Sequence, residues 1–224
     1  MNNVNRPIVL AITGASGATY AARLLQLLML SHREVHVVVS ASGAAVIQQE
    51  LGVPMQLARI PRTALRVVVH VDQEANDAFL STGIGIDAVD AGIGNGNLHV
   101  HHVRMTTLRQ LPAALLTGGM VICPCSGEVR SMAWRVLPAQ SLIQRSRSAL
   151  KRHRKLIIVP RETPLSVLQL ENMHRLASAG VVVLPAAPGW YHGVTNLLNL
   201  VDFVVARILD QLDIDNAIMR RWTK

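Results

Sequence analysis

The chain has 224 residues, half of them hydrophobic and 16% charged, which suits one α/β domain around a single core better than two small ones. Its formal charge of +8 favours anionic partners, but only 3% of residues are aromatic, too few for the stacking platform of single-strand recognition, so no nucleic-acid partner is expected. No apolar run reaches the roughly 18 to 20 residues of a membrane span, and the two cysteines, Cys123 and Cys125, are too close to pair without strain; a cytoplasmic protein with neither membrane helix nor signal peptide is expected.

Residues 8–13 form an apolar run that leads into Gly14-Ala-Ser-Gly17, and residues 18–30 follow with Leu24, Leu25, Leu27 and Leu28 at helical spacing. That is strand, tight turn, helix. Residues 34–40 are rich in valine and read as a second strand, and residues 42–51 as a helix closed by Gly52. The stretch 72–102 holds Gly92-Ile-Gly-Asn-Gly96 with no strand before it and no helix after it, so it reads as a loop and not as a dinucleotide fingerprint. Continuous apolar runs at 119–123, 155–159 and 180–184 read as strands covered on both faces. Arg145, Arg147, Lys151, Arg152, Arg154 and Lys155, just before and into the second of these, read as a solvated basic face, and a helix is expected between the second and third. Thr163 is placed to cap that helix, Pro164 to sit in its first turn, Leu165, Leu168, Met173 and Leu176 to form its buried stripe, and Gly180 to follow its end. A last helix over 200–212 carries Leu200, Val204, Ile208 and Leu212 on one face with Arg207 beside them. Strands alternating with helices, with no repeat and no linker, predict one domain over residues 1–224. The expected fold is α/β and Rossmann-like: three layers around a mostly parallel, doubly wound sheet.

Ligands of such folds collect at the carboxyl ends of the strands, so the residues in those turns are the candidates. Gly14, Ala15, Ser16 and Gly17 offer free N–H groups and the positive end of a helix dipole to a phosphate. Cys123-Pro-Cys-Ser126 brings Ser126 to the same edge. Neither its two thiols nor the His99, His101, His102 group has the ligand set of a zinc site, so no metal is expected. In Pro160-Arg-Glu-Thr-Pro164, Arg161 suits a phosphate or an electron-rich ring, and Glu162 is either a general acid–base tuned by burial or an ordinary carboxylate at a helix start. The rigid loop Pro185-Ala-Ala-Pro-Gly-Trp-Tyr-His192 can wall a pocket. Within it Tyr191 offers a hydroxyl to an anion and Arg207 a fork of donors, or the two are a packing tyrosine and a surface arginine.

Together, Thr13-Gly-Ala-Ser-Gly17, Ile122-Cys-Pro-Cys-Ser126, Val159-Pro-Arg-Glu-Thr-Pro-Leu165, Leu170-Glu-Asn-Met173, Leu184-Pro-Ala-Ala-Pro-Gly-Trp-Tyr-His192 and Val201-Asp-Phe-Val-Val-Ala-Arg-Ile-Leu-Asp210 resemble the UbiX-type flavin prenyltransferases over residues 7–52 and 119–215. The resemblance implies transfer of a dimethylallyl group from dimethylallyl phosphate to reduced FMN without a metal, giving prenylated FMN for a UbiD-type decarboxylase, as in ubiquinone biosynthesis. It implies that Gly14, Ala15, Ser16, Ser40, Ser126, Gly127, Glu128, Val129 and Arg161 hold FMN, and that Lys151, Tyr191 and Arg207 hold the allylic phosphate. Catalytic roles fall to Ser16, Glu50 and Glu162. A homo-oligomer, trimer or dodecamer, with sites at subunit junctions is implied as well.

The chain departs from the family pattern between about residues 72 and 150. Ser126 is followed by Gly127, Glu128 and Val129 where the family has Ser-x-x-Thr, residues 111–117 replace an Ala-Ser-Gly-Ser loop, and Arg147 stands where the family has an aspartate. Such a local change is what a compensated reading-frame shift produces. The competing expectations are a degenerate paralogue that binds FMN or joins an oligomer without catalysing, and an FMN-dependent cysteine decarboxylase-like enzyme.

Overall fold

The computed structural model describes residues 6–52, 97–102, 117–127 and 154–221. In chain order the elements are β1 (Ile8–Ile12), α1 (Ala18–Leu30), β2 (Val35–Val39), α2 (Ala41–Leu51), β3 (Leu98–His102), β4 (Met120–Cys125), β5 (Leu156–Pro160), α3 (Val167–Ser178), β6 (Val182–Val183) and α4 (Leu197–Gln211). The strands form one six-stranded sheet in the order β3-β2-β1-β4-β5-β6, and every pairing is parallel. All residues of β1, β2, β4 and β5 are buried, as befits strands covered on both faces.

Alternation along the strands divides the core. Ile8, Leu10 and Ile12 of β1 and Val35, Val37 and Val39 of β2 pack with the leucines of α1 and with Val204, Val205, Ile208 and Leu209 of α4. Val9, Ala11, Val38, Ile122 and Ile158 point to the other face, where Leu176 of α3 meets them. The predicted α/β doubly wound architecture is thus the one observed.

A buried ion pair joins α1 to α4. Arg23 Nε donates to Asp202 Oδ1 at 2.7 Å, Nη2 to Oδ2 at 3.2 Å, and Nη1 to Gln26 Oε1 at 2.6 Å. Burial pushes the Asp202 carboxyl above the usual carboxylate range, and the hydrogen bond and charge of Arg23 pull it back in part.

Five expectations need correction. Residues 98–102, read as part of a loop, are β3, paired with β2 from Val35↔Leu98 to Val39↔His102; three histidines in five residues hide a strand whose ladder is supplied by its neighbour. The expected helix start at Thr163 is displaced. Ser166 caps α3 instead: its hydroxyl accepts from Gln169 N–H while Gln169 Oε1 accepts from Ser166 N–H at 2.7 Å, a reciprocal capping box. Thr163 and Pro164 precede the helix, joined by a cis peptide bond. Of the expected stripe, Met173 and Leu176 are buried, but Leu165 and Leu168 are 38% and 71% exposed, because only the C-terminal half of α3 reaches the sheet. The strand expected over 180–184 shortens to Val182–Val183, and the last helix starts earlier than expected, where Asn196 and Asn199 cap each other. No described helix is long and apolar enough to cross a membrane.

Asp202→Ala strands a buried guanidinium and is expected to lower stability by about 3–5 kcal/mol, read as the shift in denaturant midpoint at constant slope. Replacing both partners, Arg23→Met with Asp202→Leu, is expected to restore most of that loss.

Candidate functional site

Because all six strands run the same way, every strand leaves the sheet at one common edge. The chain moves outward from β1 to β2 and β3, then returns to the other side of β1 for β4, so β1 and β4 flank the point where strand order reverses. Open α/β sheets bind ligands there.

Thr13 fixes that crevice. Its side chain is buried, its hydroxyl donates to Pro124 O at 2.7 Å and accepts from Ser126 N–H at 2.9 Å, and its own N–H donates to Pro124 O at 3.3 Å. The turns after β1 and β4 are therefore held together by one side chain. Thr13 was not among the expected site residues; the available signal was a hydroxyl closing an otherwise apolar strand, and its partners lie 111 and 113 residues away.

The turn after β1 packs closely on α2. A Cβ on Gly14 would meet Ser42 Cβ at 2.4 Å, and Gly17 opens α1 at φ 113°, a left-handed conformation that side chains disfavour. Ser40 caps α2 by accepting from Gly43 N–H at 2.9 Å, a role that does not consume its O–H proton. Arg161, after β5, brings its Nε to 3.3 Å from Ser16 O. Direct contacts thus connect the turns that carry Gly14, Ala15, Ser16, Ser40, Ser126 and Arg161.

The N-terminus of α1 differs from expectation. Its amides were read as free for a phosphate, but Gly17 N–H donates to Glu50 at 2.9 and 3.1 Å and Ala18 N–H donates to Glu50 Oε2 at 2.8 Å. A carboxylate satisfied by a helix dipole repels a second anion from the same position, so these two amides are already occupied by Glu50 and not free. Glu162 is exposed in the single chain, so the burial that would tune it is not supplied here.

Tyr191 and Arg207 form the anticipated pair: Arg207 Nη2 donates to Tyr191 Oη at 2.8 Å. Phe203, which the sequence reading passed over, organises both. Arg207 Cζ lies 5.3 Å from its ring centroid and Tyr191 meets it edge-on at 5.6 Å. The loop that carries Tyr191 is anchored to the end of β5 by Ala186 N–H donating to Pro160 O at 2.9 Å. Tyr191 thus rides on a segment fixed to the turn next to Arg161. Trp190, Val167, Leu168 and Leu197 nearby in sequence are each at least 70% exposed.

Cys123 and Cys125 are both buried and free. Burial and the neighbouring Cys125 push the Cys123 thiol far above its ordinary range. Ser126 and Gly127 are the last described residues of their turn; Glu128, Val129 and Lys151 lie outside the described residues, as does most of the divergent segment.

A parallel sheet with this order and an equipped crevice at β1 and β4 defines a flavoprotein-type α/β fold, and the Flavoprotein family profile matches residues 1–209. The chain is 38% identical over 217 residues to flavin prenyltransferase UbiX of Pseudomonas aeruginosa, covering 96% of this chain and 93% of the relative. It is 35% identical over 213 residues to flavin prenyltransferase UbiX of Halalkalibacterium halodurans, covering 94% and 90%. Among solved structures, AnUbiX in complex with FMN and dimethylallyl pyrophosphate superposes with a TM-score of 0.73 at 26% identity over 98% of both chains. A dodecameric FMN-dependent UbiX-like decarboxylase from Escherichia coli gives 0.72 at 26% identity, covering 97% of this chain and 100% of that one. The chain belongs to the UbiX flavin prenyltransferase family.

Thr13→Val removes both hydroxyl contacts, leaving Pro124 O with only the Thr13 N–H, and leaving the Ser126 N–H to find a new partner. It is expected to cost about 1–3 kcal/mol in denaturation experiments, while Thr13→Ser stays within about 1 kcal/mol of the parent.

Proposed function

We propose that this chain binds FMN along the carboxyl edge of its sheet and transfers a dimethylallyl group from dimethylallyl phosphate to the reduced flavin, yielding prenylated FMN for a UbiD-type decarboxylase. Family membership carries the reaction class. The observation that carries the assignment of the site is the set of contacts joining Thr13, Ser16, Ser126 and Arg161 at the strand-order reversal.

In this reading Gly14, Ala15, Ser16, Ser40, Ser126, Gly127, Glu128, Val129 and Arg161 frame FMN, which supplies an electron-rich ring when reduced. Lys151, Tyr191 and Arg207 take the allylic phosphate. Tyr191 Oη accepts from Arg207, a contact that polarises the hydroxyl and strengthens it as a donor. As the C–O bond of the allylic phosphate breaks, charge grows on the departing oxygen, and donors held in advance at that position lower the barrier. Glu162 handles the proton moved at ring closure, and Ser16 orients the flavin edge. Glu50 holds the Gly14–Gly17 turn through the two α1 amides and closes the same wall. No metal takes part in the reaction.

The protein acts as a homo-oligomer, trimer or dodecamer, of one domain spanning residues 1–224 in the cytoplasm. The exposed Trp190, Val167, Leu168 and Leu197 supply apolar surface for subunit contact, and a neighbouring subunit supplies the burial that Glu162 lacks in one chain.

Anaerobic incubation with reduced FMN and dimethylallyl phosphate is expected to yield a prenylated flavin, detected by mass and by activation of a UbiD-type apo-decarboxylase. Yellow protein that retains FMN yet leaves saturating donor unconverted would establish the non-catalytic paralogue instead. Arg207→Ala is expected to reduce kcat/KM by about 10²–10³-fold with FMN retention and melting temperature unchanged; equal loss of flavin and activity would remove Arg207 from the donor site.

A further inference from the structure

At the opposite end of the sheet, a second polar cluster spans β2 and β3. Glu34 immediately precedes β2, His36 lies within it, and His99 sits directly across the ladder from His36. Glu34 Oε1 is 3.0 Å from His36 Nε2 and 3.4 Å from His99 Nε2, and one ligand atom from each of the three residues lies within 4.8 Å of the others. Two stacked imidazoles, 4.5 Å apart and 12° from coplanar, converge on one carboxylate oxygen.

We propose that Glu34, His36 and His99 form a divalent transition-metal site of the zinc type, with water completing the coordination. Zinc bonds of about 2.0–2.2 Å in tetrahedral geometry separate neighbouring ligand atoms by roughly 3.3–3.5 Å, close to the Glu34–His36 and Glu34–His99 separations of 3.0 and 3.4 Å. Because the two rings lie nearly parallel, the part-exposed His99 ring turns out of its stack for both nitrogens to reach one ion. Two imidazoles and a carboxylate suit zinc, cobalt or nickel and not magnesium or calcium.

The surroundings fit such an ion. His36 Nδ1 lies 2.8 Å from His101 Nε2. With a metal on His36 Nε2, the ring carries its proton on Nδ1 and donates it to His101, the outer hydrogen bond that orients most metal-bound histidines. Without an ion the chain of protons reverses: His101 donates to His36, and His36 Nε2–H donates to Glu34. The His36 side chain is 5% exposed, whereas those of His99 and Glu34 are 39% and 42% exposed, which gives the ion a route from solvent and the site a fixed inner wall. The sequence reading set the histidines of 99–102 aside for want of further ligands; the missing two lie some 65 residues earlier and arrive through strand pairing.

His36 stands four residues before Ser40, about 13 Å of extended strand from the flavin edge. The ion is therefore outside the reaction. It clips β3, the edge strand of the described sheet, onto β2.

The test uses the full chain after chelator treatment, titrated with Zn²⁺ by calorimetry and with Co²⁺ by visible absorption. One equivalent, intense tetrahedral-type Co²⁺ bands and a melting temperature raised by Zn²⁺ are expected. His99→Ala and Glu34→Ala should each weaken Zn²⁺ binding at least tenfold, and His101→Phe, a positioning variant, by about 10-fold. His174→Ala, on an exposed histidine of α3, should bind as the parent does. The proposal is overturned if His99→Ala retains parental affinity, if Co²⁺ shows only weak octahedral absorption, or if a thiolate charge-transfer band assigns the ion to Cys123 and Cys125. Should Glu34→Ala fail to fold, His99→Ala decides alone.

Discussion

Thr13 ends β1 with a hydroxyl that both gives and accepts a hydrogen bond across to β4. Those two strands flank the reversal of strand order, so their relative position sets the floor on which any ligand of the carboxyl edge rests. The tie is short and doubly used, and it adds to the backbone bond from Thr13 N–H to Pro124 O a link to the Ser126 N–H. Ser126, Ser16 and, through Ser16, Arg161 inherit their positions from it. A loosened tie would leave each motif intact in sequence and misplaced in space.

The fold was largely legible because buried parallel strands and amphipathic helices announce themselves locally. Ile8–Ile12, Val35–Val39 and Leu156–Pro160 are unbroken apolar runs, and Gly52 does end α2 at φ 68°. What failed was information carried by partners. β3 owes its existence to β2 and not to its own histidine-rich composition, and the start of α3 was decided by Ser166 and Gln169, a weaker pattern than the proline that drew attention upstream. The site shows the same division. Tyr191 with Arg207 and Arg161 beside the first turn followed from motifs, whereas Thr13, Phe203 and the Glu34, His36, His99 cluster act through contacts across the sheet or along a helix face.

Electrostatics at the crevice are organised by occupancy. Glu50 satisfies two amides of α1, so the most obvious anion position of the fold already holds an internal carboxylate. The turn after β1 is thereby stiffened by a side chain from α2. On the far side of the same edge, the guanidinium of Arg207 is steadied by an aromatic face and a phenol hydroxyl, with Asp210 Oδ2 3.6 Å from its Nη1. One wall is negative and fixed, the other positive and open.

Cys123 and Cys125 lie directly beneath that edge, sealed from solvent, and Cys123 is held far from ionisation by its surroundings. An allyl donor is an electrophile, and sulfur is the softest nucleophile a protein offers. A thiol kept neutral and out of reach, as that of Cys123 is, makes a poor nucleophile. Close packing under that edge therefore does more than stabilise the sheet: it withholds a soft nucleophile from the crevice above it.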